Sequence, residues 1–273
     1  MPFHGSRLVV HPSYAPTFRA QGVATPADAA SKWAPGDGER SRVAEVRLPH
    51  AGGTAHLFVK TYHYPGLDRL RTLFIPARVR REYENLLGLA GFGLKVPLPV
   101  AYGETRRFGF LADSFLATEA IENAIDLRDL ATGTSKAPFP LPGRKERRDL
   151  IGTFARALRR CHDAGWFLHT AFFKNLLLSR GAAGYELWVI DVPFAHIWRN
   201  RLMPGRGKVR DFACLAKGAV KLLTRTERMR FCRSYGDTSK GFLKQVEAYR
   251  VKNYPQGEHP ASRLRAGRRG PLC

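Results

Sequence analysis

The apolar residues of this chain switch period along its length, from two to about 3.6 and back, and that switching restricts the fold more than composition does. From Arg42, VAEVRLP alternates, the turn His50-Ala51-Gly52-Gly53 interrupts it, and AHLFVKTY alternates again. That pattern predicts a β-hairpin with Lys60 near the end of its second strand. Val79, Tyr83, Leu86, Leu87 and Ala90 then recur at helical spacing, with Gly91 and Gly93 as stop signals. The run VPLPVAYGETRRFGFLADSFLATEAI returns to short extended segments broken by Gly, Arg and Asp. Two strands, one helix and further antiparallel strands predict a small sheet lobe.

After Leu130 the character changes: ATGTSKAPFPLPGRKE is rich in Pro, Gly and Thr and reads as a connection between lobes. Beyond it, RRDLIGTFARALRRCHDAG puts Leu150, Phe154, Leu158 and Cys161 on one helical face and most of its arginines on the others. FLHTAFFKNLLLS and ELWVIDVPF, split by Arg180-Gly181-Ala182-Ala183-Gly184, predict a loop and a second hairpin, with Asn175 before its first strand and Asp191 after its second. KVRDFACLAKGAVKLLTRTERMRFCRSY predicts two helices. The expected class is therefore α+β. Residues 1–40, with the turn Pro35-Gly36-Asp37-Gly38, form an irregular extension holding one strand at most; 41–130 form the sheet lobe, 131–255 a larger, mainly helical lobe, and 256–273 a basic disordered tail.

Lys and Arg number 45 against 23 Asp and Glu, a formal charge of +22 that draws the molecule toward phosphate-rich surfaces. Charge alone does not choose among nucleic acid, anionic lipid and a polyanionic substrate, since all are met by the same side chains. No helix-turn-helix, zinc-finger or RNP pattern is present, so specific nucleic-acid binding is not expected. Cys161, Cys214, Cys232 and Cys273 lie far apart without a CxxC pair, which argues against a zinc knuckle or disulfide framework and predicts a reducing, cytoplasmic setting. No run nears the roughly 18 apolar residues of a membrane span. Membrane contact is therefore expected to be peripheral.

Phosphoryl transfer from ATP needs a cation on the phosphates, an acid to orient that cation, and oxygen ligands for Mg²⁺. The chain carries such groups in order: Lys60 on a hairpin strand, Glu82 on the next helix, Asn175 before a strand and Asp191 after the following one. Glu84 competes with Glu82, because periodicity alone does not fix the inward face to one residue.

Taken together, HLFVKTY, RREYENLLGLAGFGLKVPLPVAYGE, LATEAIENAIDLRDL, LHTAFFKNLLL and WVIDVPFA resemble the lipopolysaccharide core kinases, the heptose and Kdo kinases with their InaA-type relatives, over residues 42–250. The resemblance implies a two-lobed protein-kinase-like fold that binds ATP and Mg²⁺ in a cleft and phosphorylates a sugar hydroxyl at the inner membrane face. On it, Lys60 matches the phosphate-binding lysine and Glu82 its partner. Thr118, Glu119 and Ala120 fall where the linking strand meets adenine. Asn175 and Asp191 match the Mg²⁺ ligands, Asp211 the acid at a later helix, and His169 opens the catalytic segment.

The chain also departs from that family. Where the family reads His, any residue, Asp, this chain reads His169-Thr170-Ala171, which puts Ala171 at the position of the catalytic base and leaves Asn175 one residue early. Gly52-Gly53 is the only glycine pair near enough to approach phosphate, in place of a G-x-G-x-x-G loop. Absence of the base leaves phosphoryl transfer feasible, since general-base help is worth about 10²–10⁴-fold. It also raises a rival reading, a pseudokinase scaffold that keeps the fold without chemistry.

Overall fold

The computed structural model describes residues 4–33, 41–64, 72–73, 75–196 and 204–254; the Pro35–Gly38 turn and the tail from Gln256 lie outside the described residues. The chain divides into two compact units, residues 1–88 with 97–121, and residues 89–96 with 122–273.

In the first unit β1 (His4–Val10), β2 (Ser41–His50), β3 (Gly53–His63), β4 (Pro99–Arg107) and β5 (Phe110–Glu119) form one antiparallel sheet in the order β1-β4-β5-β3-β2. The β2–β3 reversal is a two-residue turn in which Ala51 (φ 44°) and Gly52 (φ 79°) are both left-handed. Such a turn matches the right-handed twist of the strands it joins. Alternation then sends neighbouring side chains of β5 to opposite faces: Phe115 joins one apolar cluster and Leu116 another.

The first cluster is closed by α1 (Ala15–Ala20) and α2 (Pro26–Trp33), whose Phe18, Ala29 and Trp33 pack with Tyr14, Leu57, Val59 and Phe115. The second is closed by the start of α3 (Arg78–Gly91), through Val79 and Tyr83 against Tyr102, Leu111 and Leu116. The irregular extension expected over residues 1–40 is thus corrected: it holds one strand, as allowed, but also two helices that cap the sheet. The prolines that read as breakers include Pro26, which stands at the start of α2, where a missing N–H costs nothing. Asp28 accepts from the N–H groups of Ala24 and Thr25 at that end.

In the second unit β6 (Ala124–Asp126), β7 (Leu176–Gly181) and β8 (Gly184–Val189) make a three-stranded sheet. Around it lie α4 (Leu127–Thr132), α5 (Arg144–Asp163), α6 (Pro204–Leu222), α7 (Arg225–Tyr235) and α8 (Lys240–Asn253). The chain enters this unit at Glu122, ahead of the break expected near Leu130, because Ile125 and Leu127 are already buried in it. The amphipathic helix is α5, which buries Phe154, Ala155, Leu158 and Cys161. Helix α8 had no clear sequence signal, having only Val246 fully buried.

An ion pair ties α5 to α7. Arg147 donates from Nε and Nη2 to the two carboxylate oxygens of Glu227 at 2.6 and 2.9 Å, while Thr224 and Glu227 form a capping box at the start of α7. The bidentate Arg147 hydrogen bonds hold the Glu227 carboxyl down to about 2.

Candidate active site

In the first unit Lys60 lies on β3, between Val43 of β2 and Leu116 of β5. Its Nζ is 3.8 Å from Oε2 of Glu82 on α3, and the Glu82 side chain is only 6% exposed. Removing a carboxylate from water costs several kcal/mol, so a buried Glu facing a lysine marks a built pair. Glu84, the competing candidate, points away and pairs with Arg80 at 2.9 Å on the surface. The burial of α3 therefore selects Glu82. Two residues the sequence reading passed over stand beside the pair: the Tyr62 ring centre is 5.7 Å from Lys60 Nζ and 5.3 Å from the Arg78 guanidinium. Burial raises the Tyr62 phenol, keeping it protonated beside these cations.

Thr118 and Glu119 end β5, and Ala120 follows. The N–H of Glu119 donates to Leu98 and that of Ala120 to His56, at 2.9 and 2.8 Å. Tyr14 donates to the Glu119 carboxylate at 2.6 Å. Gly52 sits at the β2–β3 tip with open space where a Cβ would stand.

In the second unit the loop before β7 hangs from Asp211, a fully buried side chain of α6. Asp211 accepts from the backbone N–H of Leu168 and of His169, both at 2.6 Å, and its Oδ2 lies 3.0 Å from Nε2 of His162. Nδ1 of His162 lies 2.8 Å from the Tyr235 hydroxyl. Burial pushes that phenol up, so it stays protonated within hydrogen-bond reach of Nδ1. Two non-glycine residues here stand in the left-handed region that glycine favours: His169 at φ 57° and Asp191 at φ 55°. A left-handed non-glycine costs about 1–3 kcal/mol, and a hydrogen bond to a charged group contributes roughly 1.5–3. The two bonds from Asp211 therefore suffice to hold His169.

Asn175 and Asp191 flank the β7–β8 hairpin, and the N–H of Ile190 donates to the Asn175 carbonyl at 3.0 Å. Nδ2 of Asn175 donates to the Thr170 carbonyl at 2.8 Å, and the Thr170 hydroxyl donates to the Asp191 carbonyl at 2.7 Å. Loop and hairpin ends are thereby joined through Thr170, which sequence reasoning treated only as a spacer. His169 is buried and enters through its backbone. Ala171 is fully buried. With Nδ2 donating to Thr170, Oδ1 of Asn175 is the amide atom left to bind a cation. An amide oxygen and a carboxylate are hard donors that fit Mg²⁺, which keeps waters and substrate phosphates as its remaining ligands. Among the described residues no group of three or more His, Cys, Asp and Glu side chains could hold a metal. The buried thiols of Cys161 and Cys214 are pushed up to about 12 by burial, which makes them unreactive.

A sheet unit whose strand lysine meets a buried helix glutamate, and a helical unit whose loop and hairpin are held by a buried aspartate, define a protein-kinase-like protein. The model of the lipopolysaccharide kinase (Kdo/WaaP) family matches residues 36–235, and the chain belongs to that family. It is 27% identical over 188 residues to the lipopolysaccharide core heptose(I) kinase WaaP of Pseudomonas aeruginosa, covering 65% of this chain and 68% of that protein. The structure of WaaP in complex with acyl carrier protein has the same fold, with a TM-score of 0.64 at 24% identity over 91% of this chain and 99% of that one.

Proposed function

We propose that this chain transfers the γ-phosphoryl group of ATP to a sugar hydroxyl of lipopolysaccharide core, on a heptose or Kdo residue. The observation that carries the reading is the Lys60–Glu82 pair, a buried carboxylate orienting an ammonium as phosphate binding requires. Lys60 engages the ATP phosphates; Asn175 and Asp191 hold Mg²⁺, which when bound neutralises charge on the phosphates. With the N–H groups of Glu119 and Ala120 already bonded, adenine contact in the Thr118–Ala120 stretch falls to carbonyl oxygens. No described helix is long and apolar enough to cross a membrane, and the net charge of +22 favours peripheral contact with anionic lipid from the cytoplasmic side.

An acyl carrier protein is a further proposed partner. The second unit contains an apolar cavity of about 140 Å³, lined by side chains that include Leu150, Phe154, Leu176, Phe212 and Phe231, and WaaP was solved with such a carrier. A cavity with this apolar lining suits an apolar chain.

The test is transfer of labelled phosphate from Mg²⁺-ATP to dephosphorylated core oligosaccharide. Wild type should label the sugar, and Lys60→Ala should lose about 10²–10³-fold. Unlabelled sugar with wild type would leave the scaffold reading, and full activity with Lys60→Ala would remove Lys60 from the site.

A further inference from the structure

We infer that Thr170 is the positioning residue of this site, the tie that sets its two metal ligands relative to each other; the inference rests on the proposed ATP·Mg²⁺ reading and deepens it. The pattern H-R-D-x-x-x-x-N of protein kinases sets the catalytic acid five residues before the metal-binding Asn. Counted back from Asn175, that position is Thr170. Counting forward from His169 gave Ala171 and needed a shortened loop; counting back from Asn175 needs none.

The geometry agrees with the second count. Asp211 grips the N–H groups of Leu168 and His169, the two residues immediately ahead of Thr170. Ala171 is fully buried, whereas Thr170 is only partly buried. Thr170 then makes a bond toward each proposed ligand. Its carbonyl accepts from Asn175 Nδ2 at 2.8 Å, which leaves Oδ1 as the amide atom that would take a cation. Its hydroxyl donates at 2.7 Å to the carbonyl of Asp191, the residue held at φ 55°. The hydroxyl faces two backbone carbonyls, that of Asp191 at 2.7 Å and that of Leu168 at 3.2 Å, and the shorter bond goes to Asp191, so the side chain orients backbone rather than acting on substrate.

The experiment measures binding of a fluorescent ATP analogue at varied Mg²⁺, which requires no turnover. Thr170→Val keeps the shape and removes the donor; it should weaken the Mg²⁺-dependent part of binding about tenfold and leave metal-free binding unchanged. Thr170→Ser should restore wild-type behaviour. If Thr170→Val does not fold, Thr170→Cys, a weak donor of similar size, takes its place with the same direction of change. A donor-less variant with wild-type Mg²⁺ dependence, or with metal-free binding weakened equally, overturns the inference while Lys60→Ala still reports on the parent reading. A wild type that binds no nucleotide overturns both.

Discussion

In the sheet unit Lys60 and Glu82 stand on regular elements, a central strand and a helix, and packing alone turns them toward each other. In the helical unit Asn175 and Asp191 stand just outside a hairpin, on backbone that includes two left-handed non-glycine residues, Asp191 itself and His169, whose N–H donates to the buried Asp211. The contrast teaches where each half is vulnerable. On the proposed reading the first pair serves the nucleotide, and as one 3.8 Å ion pair with a part-exposed lysine it contributes modestly to folding. On the same reading the second half serves metal binding and folding at once, since its loop has no regular ladder to hold it.

Breaking Asp211 should therefore have the largest effect. Asp211→Ala leaves two backbone N–H groups and His162 Nε2 without their acceptor in a buried site, and should destabilise the second unit by about 3–5 kcal/mol. Chemical denaturation would read this, and a loss below 1 kcal/mol would erase the contrast. In the sheet unit, Glu82→Gln should cost about 10²-fold in phosphoryl transfer while changing stability by under about 1 kcal/mol, and Glu84→Gln should change neither. Equal losses for the two glutamates would mean that burial does not select between them.

The smallest effect concerns pH. Glu227 titrates at about 2 in the folded protein against an ordinary 4.5, a depressed value, so its contribution is complete above about pH 4.5 and lost as pH falls toward 2. Between those limits wild type should lose stability more steeply than Arg147→Met, in thermal melts taken across the acid range; parallel curves would deny the ion pair its role.

How much was legible in the sequence follows the same division. Period-two and helical spacing gave β2, β3, α3, α5 and the β7–β8 hairpin, because each buries one face against a single core. The helices α1 and α2 escaped because Phe18 and Trp33 sit in short segments among Pro and Ala, too brief to show a period. Lys60 could be read from its strand, but the choice of Glu82 over Glu84 needed the packed helix. The Tyr235–His162–Asp211 chain joins residues 49 and 73 positions away from His162, and no local pattern announces it. His169 alone left the register of the loop open, since a loop's alignment is fixed by what grips it, here Asp211, and not by its most recognisable side chain.

The most direct test is whether Lys60 and Asp191 serve one nucleotide. Melting temperature measured with and without Mg²⁺-ATP should rise for wild type and stay unmoved for Lys60→Ala, for Asp191→Ala and for the double variant alike, because losing either group disables the same bound ligand. Wild-type upward shifts in both single variants would contradict a shared nucleotide and with it the kinase reading of the site.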